Sequence, residues 1–145
     1  MQKKLLCLTI SFLVCSYSFA QDKSVSDIFK KLAQMIEIVE SDNKEVVRVE
    51  ADIIQTDKTT YRVLQQGWTY GVLAVGSDRI QDLDIEVYKL ISNDWVIISK
   101  DTDVSSAAAV TIKPTYTGQY KIVIKAVKFY SGYDVGHYGL IIYHE

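Results

Sequence analysis

Acidic side chains alternate with aliphatic ones along residues 81–88, and carboxylates are the ligands that hard cations prefer. Asp82, Asp84 and Glu86 are two residues apart, so on a strand they point to one face. Such a face supplies two or three of the roughly six to eight oxygens that Ca²⁺ takes, and Asp78 lies just upstream. The spacing predicts a calcium site on Asp78, Asp82 and Asp84, with a plain solvated strand face as the alternative.

A second group of candidate binding residues lies in a glycine-bearing loop near the C-terminus. Tyr130, Tyr133 and Asp134 are expected to be exposed there. Loops that carry rings and polar groups are frequent binding regions, so these three residues are predicted to contact a partner, and an ordinary loop is the alternative. The loops at 77–81 and 101–106 are expected at the same end of the molecule.

Catalysis finds no support in the motifs. The chain has no Gly-x-Ser-x-Gly elbow, no His-Glu-x-x-His and no phosphate-binding glycine loop. His137 and His144 are seven residues apart, an odd number, so on one strand they face opposite sides and do not form a metal pair. We therefore predict no catalytic residue and no cofactor other than the calcium considered above. A hydrolase that uses two of the many carboxylates is an alternative from another class.

One helix and a series of strands would position these residues. Over residues 21–43 apolar side chains recur at three- and four-residue steps, which predicts an amphipathic helix. Ser24 and Asp27 resemble a capping box at its start. The apolar stripe is expected to pack on the rest of the chain, with docking on a partner as the alternative.

From residue 44 to residue 145 the period becomes two, with turn residues between about eight short strands. Residues 59–64 are expected to return as a hairpin on the preceding strand. The strand at 68–75 is expected to face inward with Trp68 and Tyr70. No connection is long enough for a crossover helix, so the pattern predicts an all-β antiparallel sandwich. Two other strands are expected to bury Tyr120, Ile122, Ile124 and Ala126, and Tyr138, Leu140 and Ile142.

The first twenty residues have the organisation of a secretory signal. Two lysines precede an apolar run at 5–15, which is shorter than the roughly 20 residues that span a bilayer, and Ser18 and Ala20 are small enough for signal peptidase. Removal of residues 1–20 would leave 145 − 20 = 125 residues in the periplasm or secreted, without a transmembrane segment. A lipoprotein acylated on Cys15 is the alternative, which the bulky preceding valine disfavours.

Composition narrows the choice of partners. Cys7 and Cys15 both fall within the predicted signal, so the mature chain has no disulfide and no thiolate ligand. Loss of two signal lysines leaves 16 − 2 = 14 basic against 18 acidic residues, a net charge of −4. A mildly acidic chain disfavours nucleic acid as a partner. A protein or a cell-envelope or matrix polymer is the expected partner.

Four short motifs occur in order over residues 59–145: Leu64-Gln-Gln-Gly-Trp-Thr-Tyr70, Asp82-Leu-Asp-Ile-Glu-Val-Tyr88, Thr117-Gly-Gln-Tyr120 and Tyr138-Gly-Leu-Ile-Ile142. Their types and order resemble those of the bacterial pre-peptidase C-terminal domain. The resemblance implies an exported, non-catalytic, jelly-roll-like β-sandwich, and some members of that family bind calcium or matrix polymers. The helix at 21–43 is not part of that module, which puts the usual role as an enzyme accessory in doubt.

These observations predict a signal peptide at 1–20, a helix at 21–43 and an antiparallel jelly-roll-like β-sandwich of about eight strands at 44–145. The predicted function is that of an exported non-catalytic module that binds a protein or cell-envelope partner. A carbohydrate- or matrix-binding module and, less favoured, a carboxylate-based hydrolase are the alternatives.

Overall fold

The computed structural model describes residues 23–145, so the predicted signal and its cleavage site lie outside the described residues. These residues form one helix and two four-stranded sheets. None of the helical residues described is in a segment long and apolar enough to cross a membrane. The elements are α1 (Ser24–Ser41), β1 (Glu45–Ile54), β2 (Asp57–Leu64), β3 (Tyr70–Gly76), β4 (Ile80–Ile91), β5 (Asp94–Asp101), β6 (Ala107–Ile112), β7 (Gly118–Phe129) and β8 (Gly136–His144).

The strand order is that of a jelly roll, which confirms the predicted fold class. The first sheet runs β1-β8-β3-β6 and the second runs β2-β7-β4-β5, with every neighbouring pair antiparallel. Among consecutive strands, β4 and β5 pair in one sheet, where Ser92 and Asn93 adopt φ values of 49° and 72° in a tight turn.

The hairpin expected between β1 and β2 does not form, so that prediction was wrong. β1 pairs with β8, whereas β2 crosses to the other sheet and pairs with β7. Side-chain alternation shows which face of a strand is apolar, but it does not show which strand lies beside it. The partner strand is chosen by contacts between residues distant in sequence.

The main core lies between the sheets and contains the predicted inward faces. Leu83, Ile85 and Val87 of β4 are fully buried there. Ile122 and Leu140, predicted to face inward from β7 and β8, are also fully buried. The alternation in these strands therefore assigned the core side correctly.

A second core lies on the outer face of the first sheet, beneath α1. Ile28 and Leu32 of the helix pack with Val75 of β3 and Ile141 of β8. Gly139 brings the sheet close to the helix, because a Cβ added there would lie 2.7 Å from a methyl carbon of Leu32. The apolar stripe of α1 thus packs within the chain, as its pattern predicts.

Polar contacts fix the start of α1 in a way that the predicted capping box does not describe. The residue before the helix, Lys23, makes no capping hydrogen bond through its side chain. Ser24 is instead buried, and its Oγ lies 2.9 Å from Nδ1 of His137 on β8. Lys31 donates to the carbonyl oxygen of Gly76 at 2.9 Å. The capping prediction was wrong because the Ser24 hydroxyl serves a tertiary contact.

Candidate functional site

The outer face of the second sheet is open, since no helix among residues 23–145 packs on it. Lys121 of β7 lies beside Tyr61 of β2 on one side and Tyr88 of β4 on the other. These side chains point outward because their sequence neighbours, such as Ile122 and Val87, point into the core. The sheet order therefore places residues from separate parts of the sequence side by side.

Three rings and one ammonium group meet on this open face. The Nζ of Lys121 lies 4.2 Å from the centroid of the Tyr88 ring and 5.2 Å from that of Trp95 on β5. The Tyr61 and Trp95 ring centroids are 5.6 Å apart, with the planes inclined by 50°. A cation within about 6 Å of a ring centroid is attracted to the ring face. We call Tyr61, Tyr88, Trp95 and Lys121 the aromatic cluster.

A carboxylate anchors one side of the aromatic cluster. Glu86 accepts a short hydrogen bond from the Tyr88 hydroxyl and lies 2.7 Å from Nζ of Lys125. The hydrogen bonds from Lys125 and Tyr88 lower the pKa of Glu86. The same bond to Glu86, together with burial, raises the pKa of Tyr88 to about 12. Tyr88 is therefore a neutral donor at physiological pH, held by an ionised acceptor.

Exposed aliphatic side chains lie next to the aromatic cluster on the same face. Val63 lies on β2, Leu90 on β4 and Ile97 on β5, and all three are exposed. Register supports their placement, since Leu90 is opposite Trp95 and Ile97 is opposite Tyr88. Aromatic anchors within a partly apolar surface are typical of protein-binding interfaces.

Sequence reasoning did not identify the aromatic cluster as a site. Alternation correctly places Lys121 and Tyr88 outside the core, and that is the only signal in the sequence for their shared face. Tyr61 and Trp95 lie on opposite edge strands, with two strands between them. Their proximity depends on the strand order 2-7-4-5, which alternation does not encode.

The predicted calcium residues are separated by irregular strand geometry. Register shifts occur on both sides of Asp82, which is buried and accepts the backbone N–H of Ser105 at 3.3 Å. Its expected place on the solvated face was therefore wrong, because bulges interrupt alternation. Burial, and then the negative charge of Asp82, raise the pKa of Asp84, whereas Asp78 is exposed in a loop.

Within the described residues, no group of three or more His, Cys, Asp or Glu side chains is arranged to hold a metal ion. Asp78, Asp82 and Asp84 therefore provide no evident coordination set. Calcium binding by these residues stays a prediction.

The loops predicted to form a contact surface meet at one end of the sandwich. Tyr130, Tyr133 and Asp134 are exposed, as expected. The Tyr130 N–H donates to the carbonyl of Arg79 at 3.0 Å, and the Arg79 guanidinium lies 4.9 Å from the Tyr133 ring centroid. Backbone hydrogen bonds also join the 101–106 loop to this end. The binding role of Tyr130, Tyr133 and Asp134 stays a prediction.

Comparison with known proteins supports the fold and leaves the family open. No family model matches the chain, and no curated protein matches it either. The sandwich architecture that the resemblance to pre-peptidase C-terminal domains implies is therefore supported. Membership of that family is not shown.

Several solved structures are similar in fold. PliG from Aeromonas hydrophila, a periplasmic inhibitor of g-type lysozyme, is 11% identical, with 72% of this chain and 90% of PliG covered, at a TM-score of 0.52. The Yersinia pseudotuberculosis-derived mitogen is 15% identical, with 66% and 82% covered, at 0.46. A family 32 carbohydrate-binding module from C. perfringens NanJ is 6% identical, with 68% and 98% covered, at 0.36. At these identities the likeness to PliG establishes the β-sandwich fold alone.

Proposed function

We propose that this protein is an exported, non-catalytic binding module that holds a protein partner on the open face of the second sheet. One observation carries the proposal: of the two outer faces, the one that no helix among residues 23–145 covers displays the aromatic cluster. Trp and Tyr are the side chains that most often dominate binding energy at interfaces. The contact of Lys121 with two rings restrains them before a partner arrives, which reduces the entropy lost on binding.

The arrangement of rings favours a protein over a sugar. Stacking on successive sugar faces calls for a flat row of coplanar rings, whereas the Tyr61 and Trp95 planes are inclined by 50°. The exposed aliphatic residues around the rings, among them Val63 and Ile97, suit the uneven apolar surface of a protein. A carbohydrate- or matrix-binding role is therefore the weaker of the two binding proposals.

The proposal includes a second contact region at the loop end, formed by Tyr130, Tyr133 and Asp134. It also includes a periplasmic or secreted location. Since PliG inhibits a g-type lysozyme on a similar fold, such a lysozyme is a suitable first purified partner to test. The wider search uses extract of the cell envelope.

The test is capture by tagged residues 21–145, compared across two matched tryptophan variants. We expect Trp95→Ala to weaken capture of the partner by roughly thirtyfold or more, since a binding hot spot is worth about 2 kcal/mol. Trp68→Ala serves as the control, because Trp68 lies outside the aromatic cluster. The captured protein is then purified and titrated against all variants.

Other outcomes would change parts of this proposal. Equal loss in both tryptophan variants, or in neither, would exclude the open face as the binding surface. Loss in Tyr133→Ala alone would place the contact at the loop end. Retention of the chain by insoluble polysaccharide, with no protein captured, would favour the carbohydrate alternative. Loss of the partner in chelator would support calcium binding.

A further inference from the structure

A cavity of about 400 Å³ opens at the side of the sandwich where β1 and β2 are the edge strands of their sheets. Arg48 of β1 and Arg62 of β2 line it from the two sheets, and Trp68 and His144 line it further along. The volume is within the range of roughly 300 to 1,000 Å³ that is usual for small-molecule sites. This cavity, called the edge cleft below, is separate from the aromatic cluster.

The charged wall of the edge cleft already holds a carboxylate. Oε1 of Glu50 lies 2.6 Å from Nε of Arg48 and 2.5 Å from an Nη of Arg62. In the part of the chain that the structure describes, Glu50 is the acidic partner of both guanidinium groups, so one negative charge faces two positive ones. Arg48 uses only its Nε for this contact, although a guanidinium has five donor hydrogens. The wall around these two guanidinium groups therefore favours a further anion, whereas the lining around His144 already has a carboxylate, that of Glu45, 3.7 Å from Nε2.

Polar atoms near this wall have unused hydrogen-bonding capacity. The Nε of Arg62 and the Nδ1 of His144 are buried without a hydrogen-bond partner among the described residues. Most buried polar groups in proteins are paired, so these two atoms mark a polar wall that is incompletely paired. Both atoms are closed to solvent, so a ligand in the cleft reaches them only if the side chains shift. Both belong to residues that line the edge cleft.

Another part of the lining is aromatic and apolar. Trp68 was predicted to continue the inward face of its strand, but β3 begins only at Tyr70, and Trp68 is 39% exposed. Its ring meets the His144 ring edge-on, with the centroids 4.0 Å apart. Buried Leu64 and Ile142 form an apolar floor. A ring or aliphatic group would lie against this wall with its apolar surface removed from water.

We propose that the edge cleft binds a small organic carboxylate whose body is a ring or a short aliphatic group. The ligand carboxylate pairs with the Arg48 and Arg62 guanidinium groups, which match carboxylates in shape and charge. The body of the ligand packs against Trp68. This site goes beyond the protein-binding function proposed above and uses none of the aromatic cluster.

The fluorescence of Trp68 gives a direct test. The chain has two tryptophans, so Trp95→Phe leaves Trp68 as the single indole emitter. This variant, as residues 21–145, is titrated with 3-phenylpropionate and with glucuronate, and with their uncharged counterparts 3-phenylpropanol and glucose. We expect a saturable change in emission with at least one acid. Its neutral counterpart should bind at least about tenfold more weakly. The acid that binds distinguishes a plain ring body from a sugar body.

Arginine variants show whether the charged wall is responsible. Arg48→Gln and Arg62→Gln are each expected to weaken the acid about tenfold or more, whereas Lys58→Gln is expected to leave binding unchanged. Lys58 is a matched control because it is on β2 and pairs with Asp52 outside the edge cleft. Folding of each variant is checked by its urea transition. Arg48→Gln decides the matter if Arg62→Gln does not fold, since Arg48 is nearly half exposed.

The proposal is overturned by any of three results in folded protein. These are no saturable response to either acid, equal affinity for acid and neutral counterpart, and affinity that is unchanged in both arginine variants. A loss of partner capture in Trp95→Ala, with acid binding intact, would separate this site from the proposed protein-binding face. Acid binding without any partner capture would support the edge cleft and leave the open face unsupported.

Discussion

The two outer faces of this sandwich are both built from antiparallel strands, but one is covered by a helix and the other is open. On the first sheet, Ile141 of β8 points away from the main core and is nevertheless fully buried, because α1 covers it. On the second sheet, Lys121 of β7 points outward in the same way and meets rings at the surface. A strand covered on both faces is apolar throughout, whereas a strand covered on one face alternates.

Side chains on the covered face contribute to folding, whereas those on the open face are proposed to contribute to binding. Burial of the apolar stripe of α1 removes hydrocarbon from water and stabilises the fold. The side chains of the aromatic cluster are less buried than those beneath α1. Tyr61 and its aliphatic neighbours are exposed, so they remain available to a partner. Substitutions on the two faces should therefore differ in their effect on stability.

The largest difference is expected for one leucine substitution made on each face. Leu32→Ala should lower the free energy of unfolding by about 2 to 5 kcal/mol, because Leu32 is on the face of α1 that packs on the first sheet and is 2% exposed. Leu90→Ala on the open face should cost less than about 1 kcal/mol, because Leu90 is 37% exposed. Urea unfolding of both variants measures the difference. Equal costs would mean that α1 does not contribute to the stability of the first sheet.

A smaller effect is expected from filling the close approach between α1 and β8. Gly139→Ala should cost about 1 to 3 kcal/mol, since its Cβ would lie within 3.0 Å of three Leu32 side-chain carbons. In the Leu32→Ala background that clash is absent, so the double variant should cost less than the sum of the two single variants. Urea unfolding of the four members of this cycle provides the measurement. Simple additivity would contradict the close contact.

Lys121→Gln should cost about 0.5 to 1 kcal/mol, the usual worth of a cation–π contact at an exposed site. The ammonium group lies 4.2 Å from the Tyr88 ring centroid, and glutamine removes its charge. Lys128→Gln, an exposed lysine of the same strand, is the control and should be nearly neutral. Thermal and urea unfolding give the two values. A cost shared by both lysines would indicate a general effect of charge instead.

The least effect on folding at neutral pH is expected from titration of Tyr88. Its folded pKa of about 12 exceeds the ordinary 10.0, so the resulting stabilisation is complete below pH 10 and is lost as pH rises towards about 12. Glu86→Gln removes the main cause and should lower the pKa of Tyr88 towards 10.0. Nuclear magnetic resonance of the Tyr88 ring follows the titration. An unchanged pKa in Glu86→Gln would exclude the hydrogen bond as its cause.

Much of the fold follows from local patterns in the sequence. Alternation identified the inward side of β4, β7 and β8, and the recurrence of apolar residues identified α1 to within a few residues at each end. It also assigned His137 and His144 to opposite faces, and the structure places His137 beside Ser24 of α1 and His144 beside Trp68. These features depend on neighbours within one strand or one helix, which sequence spacing describes directly.

The sequence by itself determined the fold class, the core faces of these strands and the apolar stripe of α1. The tertiary structure decided that α1 covers the first sheet, that bulges bury Asp82, and that Tyr61 and Trp95 meet across the second sheet. It also brought Arg48 and Arg62 together on one carboxylate from two sheets. Alternation along a strand shows which way each side chain points, whereas the neighbouring strand is selected by non-local packing. For that reason both candidate binding surfaces emerged only from the assembled sheets.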